Sequence, residues 1–311
     1  MFRLWDILRK RWPLVPGSGT IPGHGSGHGN GTARGANNLR ATDRYHQLDL
    51  ATYNGRTLRL EDHLVELEVE LEKIRWHVLG LCEVRRQGED TMTLPSGHLF
   101  YFREGDHTSR GGVGFLVNKS LVDNVVEISS VSERVAYLVL RLTDRYSLNI
   151  VQVYAPTSTH SDDQMETMYE DVSKVLNTTP KTHFNVVMGD FNSKVGVRAS
   201  GESCLGQHGV GIRNRRGQML VNFFEKEGLF LMNSFFKKMP QRKWTWRSPD
   251  SVVRNEIDFI ITDRKYIFRD VSVINRFNTG SVHRLLRGSL SVCFKLERAH
   301  MLRSTLRPNS Q

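Results

Sequence analysis

Cysteine is scarce in this chain: Cys82, Cys204 and Cys293 are the only three in 311 residues. Their spacing fits no metal-ligand pattern, and any disulfide pairing leaves one over, which argues against a disulfide scaffold and for a reducing compartment. Long apolar runs are missing too. None approaches the ~18–20 residues that span a bilayer, so no membrane partner is expected. The opening MFRLWDILRKRW scatters charges through its apolar positions and makes a poor signal peptide. The sequence also lacks a P-loop, an internal repeat, a Ser or Cys constellation for covalent catalysis, and a Tyr-X-Asp-Asp polymerase signature. What remains is ordinary globular composition, 39% hydrophobic and 24% charged.

The net charge of +10 calls for an anionic partner. Its distribution is uneven. Residues 1–45 carry seven Lys/Arg against two Asp, and residues 295–311 carry four against one Glu. Within the nearly neutral body, residues 205–255 hold ten Lys/Arg against three acids. Such a segment is either a solvated face or, beside an active site, a surface for a phosphate backbone. Arg9-Lys10-Arg11 reads as a weak nuclear signal, so an intracellular, preferably nuclear, location is expected.

The Gly/Pro/Ser/Asn-rich stretch 13–40 is expected to be a disordered leader, making 1–45 a basic, Gly-rich extension and 298–311 a basic tail. Globular patterning covers 46–297. Apolar, β-rich runs at 47–53, 77–82, 112–117, 135–142, 147–154, 184–189, 256–262 and 288–296 predict strands. Leu64, Leu67, Leu71 and Ile74 recur at helical spacing, and 163–177 and 215–227 also read as helices. With no internal linker, the arrangement expected is one domain of two sheets packed face to face with helices outside.

Several of these strands end in a polar residue that packing does not require: Asn54, Glu83, Tyr154, and Asp190 with Asn192 two residues on. Asp258 lies inside an apolar strand. Each alone has a plain explanation as a turn former or cap. Together they supply carboxylates, carboxamides and a phenol to one place, as converging strand ends commonly do. That set suits metal-assisted attack on a phosphate ester. Mg²⁺ takes hard oxygen ligands, for which Glu83 is the best candidate. Asp190 and Asn192, at an i, i+2 interval, are expected to face one side of an extended segment, one activating water and the other orienting it. A histidine such as His283 can bond the phosphate oxygens.

The ordered motifs Tyr-Asn-Gly-Arg-Thr-Leu (53–58), Gly-Leu-Cys-Glu (80–83), Val-Tyr-Ala-Pro-Thr (153–157), Gly-Asp-Phe-Asn (189–192), Trp-Thr-Trp-Arg-Ser-Pro-Asp (244–250), Asn-Glu-Ile-Asp-Phe-Ile (255–260) and Gly-Ser-Val-His-Arg (280–284) resemble the endonuclease/exonuclease/phosphatase superfamily. More narrowly, they resemble the apurinic-type endonuclease domain of RTE-like non-LTR retrotransposons. The resemblance implies an α/β fold, a four-layered sandwich of two mixed β-sheets flanked by helices. It also implies nicking of DNA with Mg²⁺ or Mn²⁺. By position, it makes Glu83 the metal ligand with Asn54 beside it, Asp190 the water-activating residue with Asn192 as its partner, and Tyr154 a phosphate or leaving-group contact. Asp258 becomes a site-organising acid and His283 the phosphate-binding histidine. Arg213, Arg215, Arg216, Lys243, Trp246 and Arg247 are the candidate DNA contacts. Trp244 and Trp246 are expected to pack near the substrate groove.

Two positions depart from the family pattern. Gly55 stands where valine is usual, a slight weakening of a strand. Val282 stands where the pattern Ser-Asp-His carries the aspartate that orients the histidine, so His283 is expected to lose its support and cleavage to be impaired. The alternatives are a phosphatase of the same superfamily and a non-catalytic nucleic-acid-binding remnant. The reverse transcriptase that follows this domain in such elements is expected to be absent from the chain.

Overall fold

The computed structural model describes residues 46–106 and 110–294. The expected leader, 1–45, and tail, 298–311, lie outside these residues. In chain order the strands are β1 (His46–Asn54), β2 (Val78–Cys82), β3 (Glu89–Thr93), β4 (Leu99–Arg103), β5 (Val113–Val117), β6 (Val125–Ser132), β7 (Val135–Arg141), β8 (Ser147–Tyr154), β9 (His183–Asp190), β10 (Phe230–Leu231), β11 (Trp246–Arg247), β12 (Arg254–Asn255), β13 (Asp258–Thr262), β14 (Phe268–Val273) and β15 (Leu286–Val292). Among the described residues three α-helices accompany them: α1 (Glu61–Glu72), α2 (Asp162–Thr178) and α3 (Arg215–Glu227).

One sheet has seven strands in the order β14-β15-β1-β2-β5-β4-β3, and a second has six in the order β10-β13-β9-β8-β7-β6. Both are mixed. β1 runs parallel to β2, and β8 parallel to β9, while the other pairs are antiparallel. The outer face of the first sheet carries Ala51, Tyr53, Leu79, Leu81, Phe100 and Leu116, which are covered by Leu64, Leu67 and Leu71 of α1. The outer face of the second carries Val151, Val153, Val187, Phe259 and Ile261, which are covered by Met165, Met168 and Val172 of α2 and by Leu220, Val221 and Phe224 of α3. Helix, sheet, sheet and helix pair form the four layers.

Sequence chemistry explains the helix ends. α2 starts on a capping box, in which Ser161 and Gln164 satisfy each other's backbone N–H groups. α3 starts on Asn214, whose side chain accepts from the Gly217 N–H, and it stops at Gly228 in the left-handed conformation (φ 67°). The two sheets approach closely where a side chain is missing. A Cβ on Gly80 of β2 would lie 1.8 Å from Gln152 Oε1 of β8. Gln152 itself donates to Thr52 Oγ1 at 3.0 Å and to Cys82 Sγ at 3.0 Å, so this buried amide ties the sheets together.

The predicted strands are present with small shifts. β13 begins at Asp258 rather than 256, because the N–H groups of Ile257 and Asp258 both donate to Thr245 Oγ1 at 3.0 Å. β3, β4, β6, β14 and the two-residue strands β10, β11 and β12 had no counterpart among the predicted strands. β3 and β6 are edge strands with polar sequences, EDTMT and VVEISSVS, so neither shows the continuous apolar run of a buried strand.

Candidate active site

Parallel pairing decides where the strand ends go. β1 and β2 finish at the same edge of their sheet, with Asn54 opposite Cys82, one residue before Glu83. β8 and β9 finish together in the other sheet, with Tyr154 opposite Asp190. β13 is antiparallel to β9, so its first residue, Asp258, lies opposite Asp190. All five ends meet at one end of the sandwich.

Asn54 bridges the sheets there. Its Nδ2 donates to Glu83 Oε1 at 2.9 Å and to Asp190 Oδ2 at 3.0 Å, while its Oδ1 accepts from the Arg56 N–H at 3.0 Å. Asn54, expected beside Glu83 among the metal ligands, thus orients the two carboxylates through its amide nitrogen. Tyr154 OH donates to the same Glu83 oxygen at 3.2 Å. Burial, reinforced by Glu83 and Asp190, raises the Tyr154 pKa and keeps the phenol protonated.

Asp190 and Asp258 are each 1% exposed and His283 is 8% exposed. Burial and the nearby Asp258 push the Asp190 pKa upward. Burial alone would disfavour charge on His283. Asp258, 3.0 Å from its Nδ1, and Asp190, 3.7 Å from its Nε2, outweigh that and raise its pKa to about 9. His283 is thus an imidazolium whose Nδ1–H is held by Asp258 and whose Nε2–H faces Asp190 beyond hydrogen-bond distance.

This geometry corrects the expectation that Val282 leaves the His283 ring without carboxylate support. The ring's carboxylate support comes from Asp258 on β13, 25 positions away in sequence, and not from the preceding residue. Val282 is half-buried, and its carbonyl accepts from the Arg247 N–H at 3.1 Å. Asn192 needs a second correction. The strand ends at Asp190, and Asn192 takes a left-handed φ of 47°, so no extended i, i+2 geometry exists. Asn192 instead reaches Asp190 Oδ1 through its own N–H at 3.0 Å, and its side chain donates to the Ala155 carbonyl at 2.8 Å.

Three of the basic candidates are occupied internally. Arg213 is paired with Glu202 and donates to the Val195 carbonyl. The buried Arg216 donates to the carbonyls of Pro156, Thr157 and His160. The buried Lys243 donates to the Asn233 carbonyl. These donors hold loops together, which is the physical reason to remove the three from the candidate DNA surface. Arg215 is exposed and paired with Asp162, Arg247 is exposed, and Trp246 is half-buried and bridges to His283. The Trp244 ring lies between Arg254 and Arg284, with centroid distances of 5.0 and 3.9 Å.

Three further residues shape the site and were not singled out in the sequence. Thr245 is fully buried and caps the start of β13. Ser281 donates to the Asn54 carbonyl at 2.7 Å and accepts from the His283 N–H at 3.1 Å, tying the histidine segment to β1. Arg85 pairs with Glu83. Thr245 and Ser281 do lie inside motifs quoted above, between two tryptophans and two residues before the histidine, but their roles depend on partners distant in sequence.

The donor set fits a divalent cation: the carboxylates of Glu83 and Asp190 are gathered by one amide, and Asp258 Oδ1 is buried with no hydrogen-bond partner. Carboxylate oxygens of Asp190 and Asp258 also lie within 4.8 Å of one another beside the His283 ring. Hard oxygens of this kind suit Mg²⁺ or Mn²⁺.

The four-layer sandwich with this cluster at one end is the architecture of the endonuclease/exonuclease/phosphatase superfamily, and the similarities found with known proteins support that kinship. Residues 148–287 match the family described as "Endonuclease-reverse transcriptase". Craniofacial development protein 2 of Bos taurus is 28% identical over 250 residues, which cover 79% of this chain and 41% of the relative. The chain thus spans about two fifths of that protein's length. Among solved structures, the endonuclease domain of TRAS1, a telomere-specific non-LTR retrotransposon, aligns with a TM-score of 0.52 at 12% identity, covering 79% of this chain and 98% of that one. The Xenopus laevis APE2 catalytic domain aligns with a TM-score of 0.57 at 13% identity, covering 79% and 93%. At these identities the two structures share the fold.

Proposed function

We propose that this chain is a divalent-metal-dependent endonuclease that hydrolyses a phosphodiester bond of DNA, derived from a non-LTR retrotransposon. The observation that carries this reading is the single amide of Asn54 holding Glu83 and Asp190 together, with Asp190 facing the charged His283. Glu83 is the residue to hold the cation. When bound, Mg²⁺ or Mn²⁺ would polarise the phosphate and neutralise its charge.

The chain's own residues do the rest. Asp190, with its pKa raised, accepts the proton of a water attacking phosphorus. His283 donates from Nε2 to a non-bridging phosphate oxygen, and Asp258 keeps it charged for that purpose. Tyr154, protonated and beside Glu83, is placed to bond the phosphate or the leaving oxygen. The P–O3′ bond breaks, and the leaving oxygen takes a proton to give the 3′-hydroxyl that primes reverse transcription in such elements. Val282 leaves the ring's support intact, so it is no obstacle to this chemistry.

Arg247, exposed beside the His283 segment, is the basic candidate best placed for a DNA phosphate. Arg247→Ala is expected to weaken binding across sequences and to lower the salt slope by about 1. The deciding experiment is supercoiled-plasmid nicking with Mg²⁺, run beside small phosphoesters. Wild type is expected to nick, chelation and Glu83→Ala to abolish nicking, and the small esters to remain intact. Nicking that survives Glu83→Ala would refute the reading. Ester hydrolysis without nicking would make the chain a phosphatase, and salt-sensitive binding without any cleavage would make it a binding remnant.

A further inference from the structure

Both oxygens of the Glu83 carboxylate are engaged. Oε1 accepts from Asn54 and Tyr154, and Oε2 accepts from Arg85 Nη2 at 2.5 Å. Glu83 and Arg85 both take left-handed backbone conformations, with φ of 55° and 52°. The two therefore fold back around the buried Val84, and the Arg85 N–H is anchored on the Gly111 carbonyl at 3.1 Å. Such conformations are costly for non-glycine residues, so this pair is a built feature.

The guanidinium, by contrast, is weakly anchored. Its Nε is buried without a partner, its side chain keeps 34% exposure, and Glu83 is its one ion-pair partner among the described residues. Arg85 also lines a cleft of about 610 Å³ together with Thr57, Arg59, Glu83, Arg110, Gly111 and Tyr154. Arg59 and Arg110 are exposed and form no ion pair among the described residues. The cleft thus gathers three arginines directly beside the candidate cation ligand.

We propose that Arg85 is an exchangeable counter-ion of Glu83. A divalent cation binding Glu83 displaces the guanidinium, which then joins Arg59 and Arg110 to capture a DNA phosphate neighbouring the scissile one. This rests on the reading of Glu83 as the cation-holding residue. The physical argument is electrostatic. Arginine cannot shed its proton to make room, and two cations on one carboxylate oxygen repel each other. The side chain must therefore move, and the cleft offers it solvent and an anion to bind. Exchange keeps Glu83 neutralised throughout. By linkage, cation binding raises the affinity for the phosphate, and phosphate binding raises the affinity for the cation by the same factor.

Calorimetric titration of Mg²⁺ into the full chain, with no DNA present, tests the exchange. Arg85→Gln is expected to bind Mg²⁺ about fivefold more tightly than wild type, the scale of a partly exposed ion pair. Arg85→Lys should lie between the two. Arg145→Ala, an exposed arginine before β8 and so at the opposite end of that strand from Tyr154, should match wild type. Fluorescence anisotropy with a hydrolysis-resistant phosphorothioate oligonucleotide then measures the coupling. Mg²⁺ should tighten its binding to wild type, and most of that gain should vanish in Arg85→Gln. Unchanged or weaker Mg²⁺ affinity in Arg85→Gln, or coupling that persists in it, overturns the exchange. If Glu83→Gln binds Mg²⁺ as well as wild type does, the cation role of Glu83 fails first and the exchange falls with it.

Discussion

Asp258→Asn tests whether a carboxylate on β13 keeps the site's histidine charged. In the folded chain the His283 pKa stands at about 9, whereas an unfolded histidine titrates near ~6.5. The folded state therefore holds the proton more tightly. Its stabilisation is fully present below pH ~6.5 and is lost as pH rises through about 9. At ~1.4 kcal/mol per pH unit, the gap corresponds to about 3 kcal/mol. The asparagine keeps the shape and an acceptor oxygen but removes the nearest negative charge, so burial prevails and the ring titrates at least ~2 units lower. Breaking a buried pair from one side costs about 3–5 kcal/mol, and the lower end is expected here because the ring can become neutral. The assay is urea unfolding of wild type and variant at pH ~6 and ~9.5, paired with an NMR titration of the histidine ring. The variant should be about 3 kcal/mol less stable at the lower pH and nearly equal at the higher one. Equal destabilisation at both values, or an unmoved ring midpoint, would refute the account of His283.

Three other substitutions address the frame around the site. Val282→Asp should leave the His283 midpoint within about one pH unit of wild type, because Asp258 already holds Nδ1; a larger rise by NMR would return the support role to position 282. Thr245→Val should cost about 2–4 kcal/mol in urea unfolding, since two buried N–H groups lose their acceptor, whereas Thr245→Ser should cost less than about 1. Equal losses in the two variants would mean that the hydroxyl is not what matters. Gly80→Ala should cost about 1–3 kcal/mol by driving a methyl into Gln152, and Gln152→Ala in the same chain should recover part of the loss. A double-mutant cycle with no coupling would count against that contact.

Hydrophobic patterning was enough to place the layers, and several polar strand-end residues were legible before any fold was known. Period-two and period-3.6 apolar patterns placed α1–α3 and the central strands, since buried elements record their environment in hydrophobicity. Polar residues at strand ends marked Asn54, Glu83, Tyr154 and Asp190 because packing gives an apolar strand no reason to end that way. Tertiary structure decided the partnerships. The His283 ring finds its acceptor on an antiparallel strand remote in sequence, so the preceding residue could not reveal it. Asn192 meets Asp190 through its backbone, which residue spacing does not encode. Arg213, Arg216 and Lys243 look like free charge in a basic segment, yet their partners are a glutamate and carbonyls brought close only by folding. Local pattern reports burial and chain direction, whereas hydrogen bonds and ion pairs depend on which distant atoms the fold brings within about 3 Å.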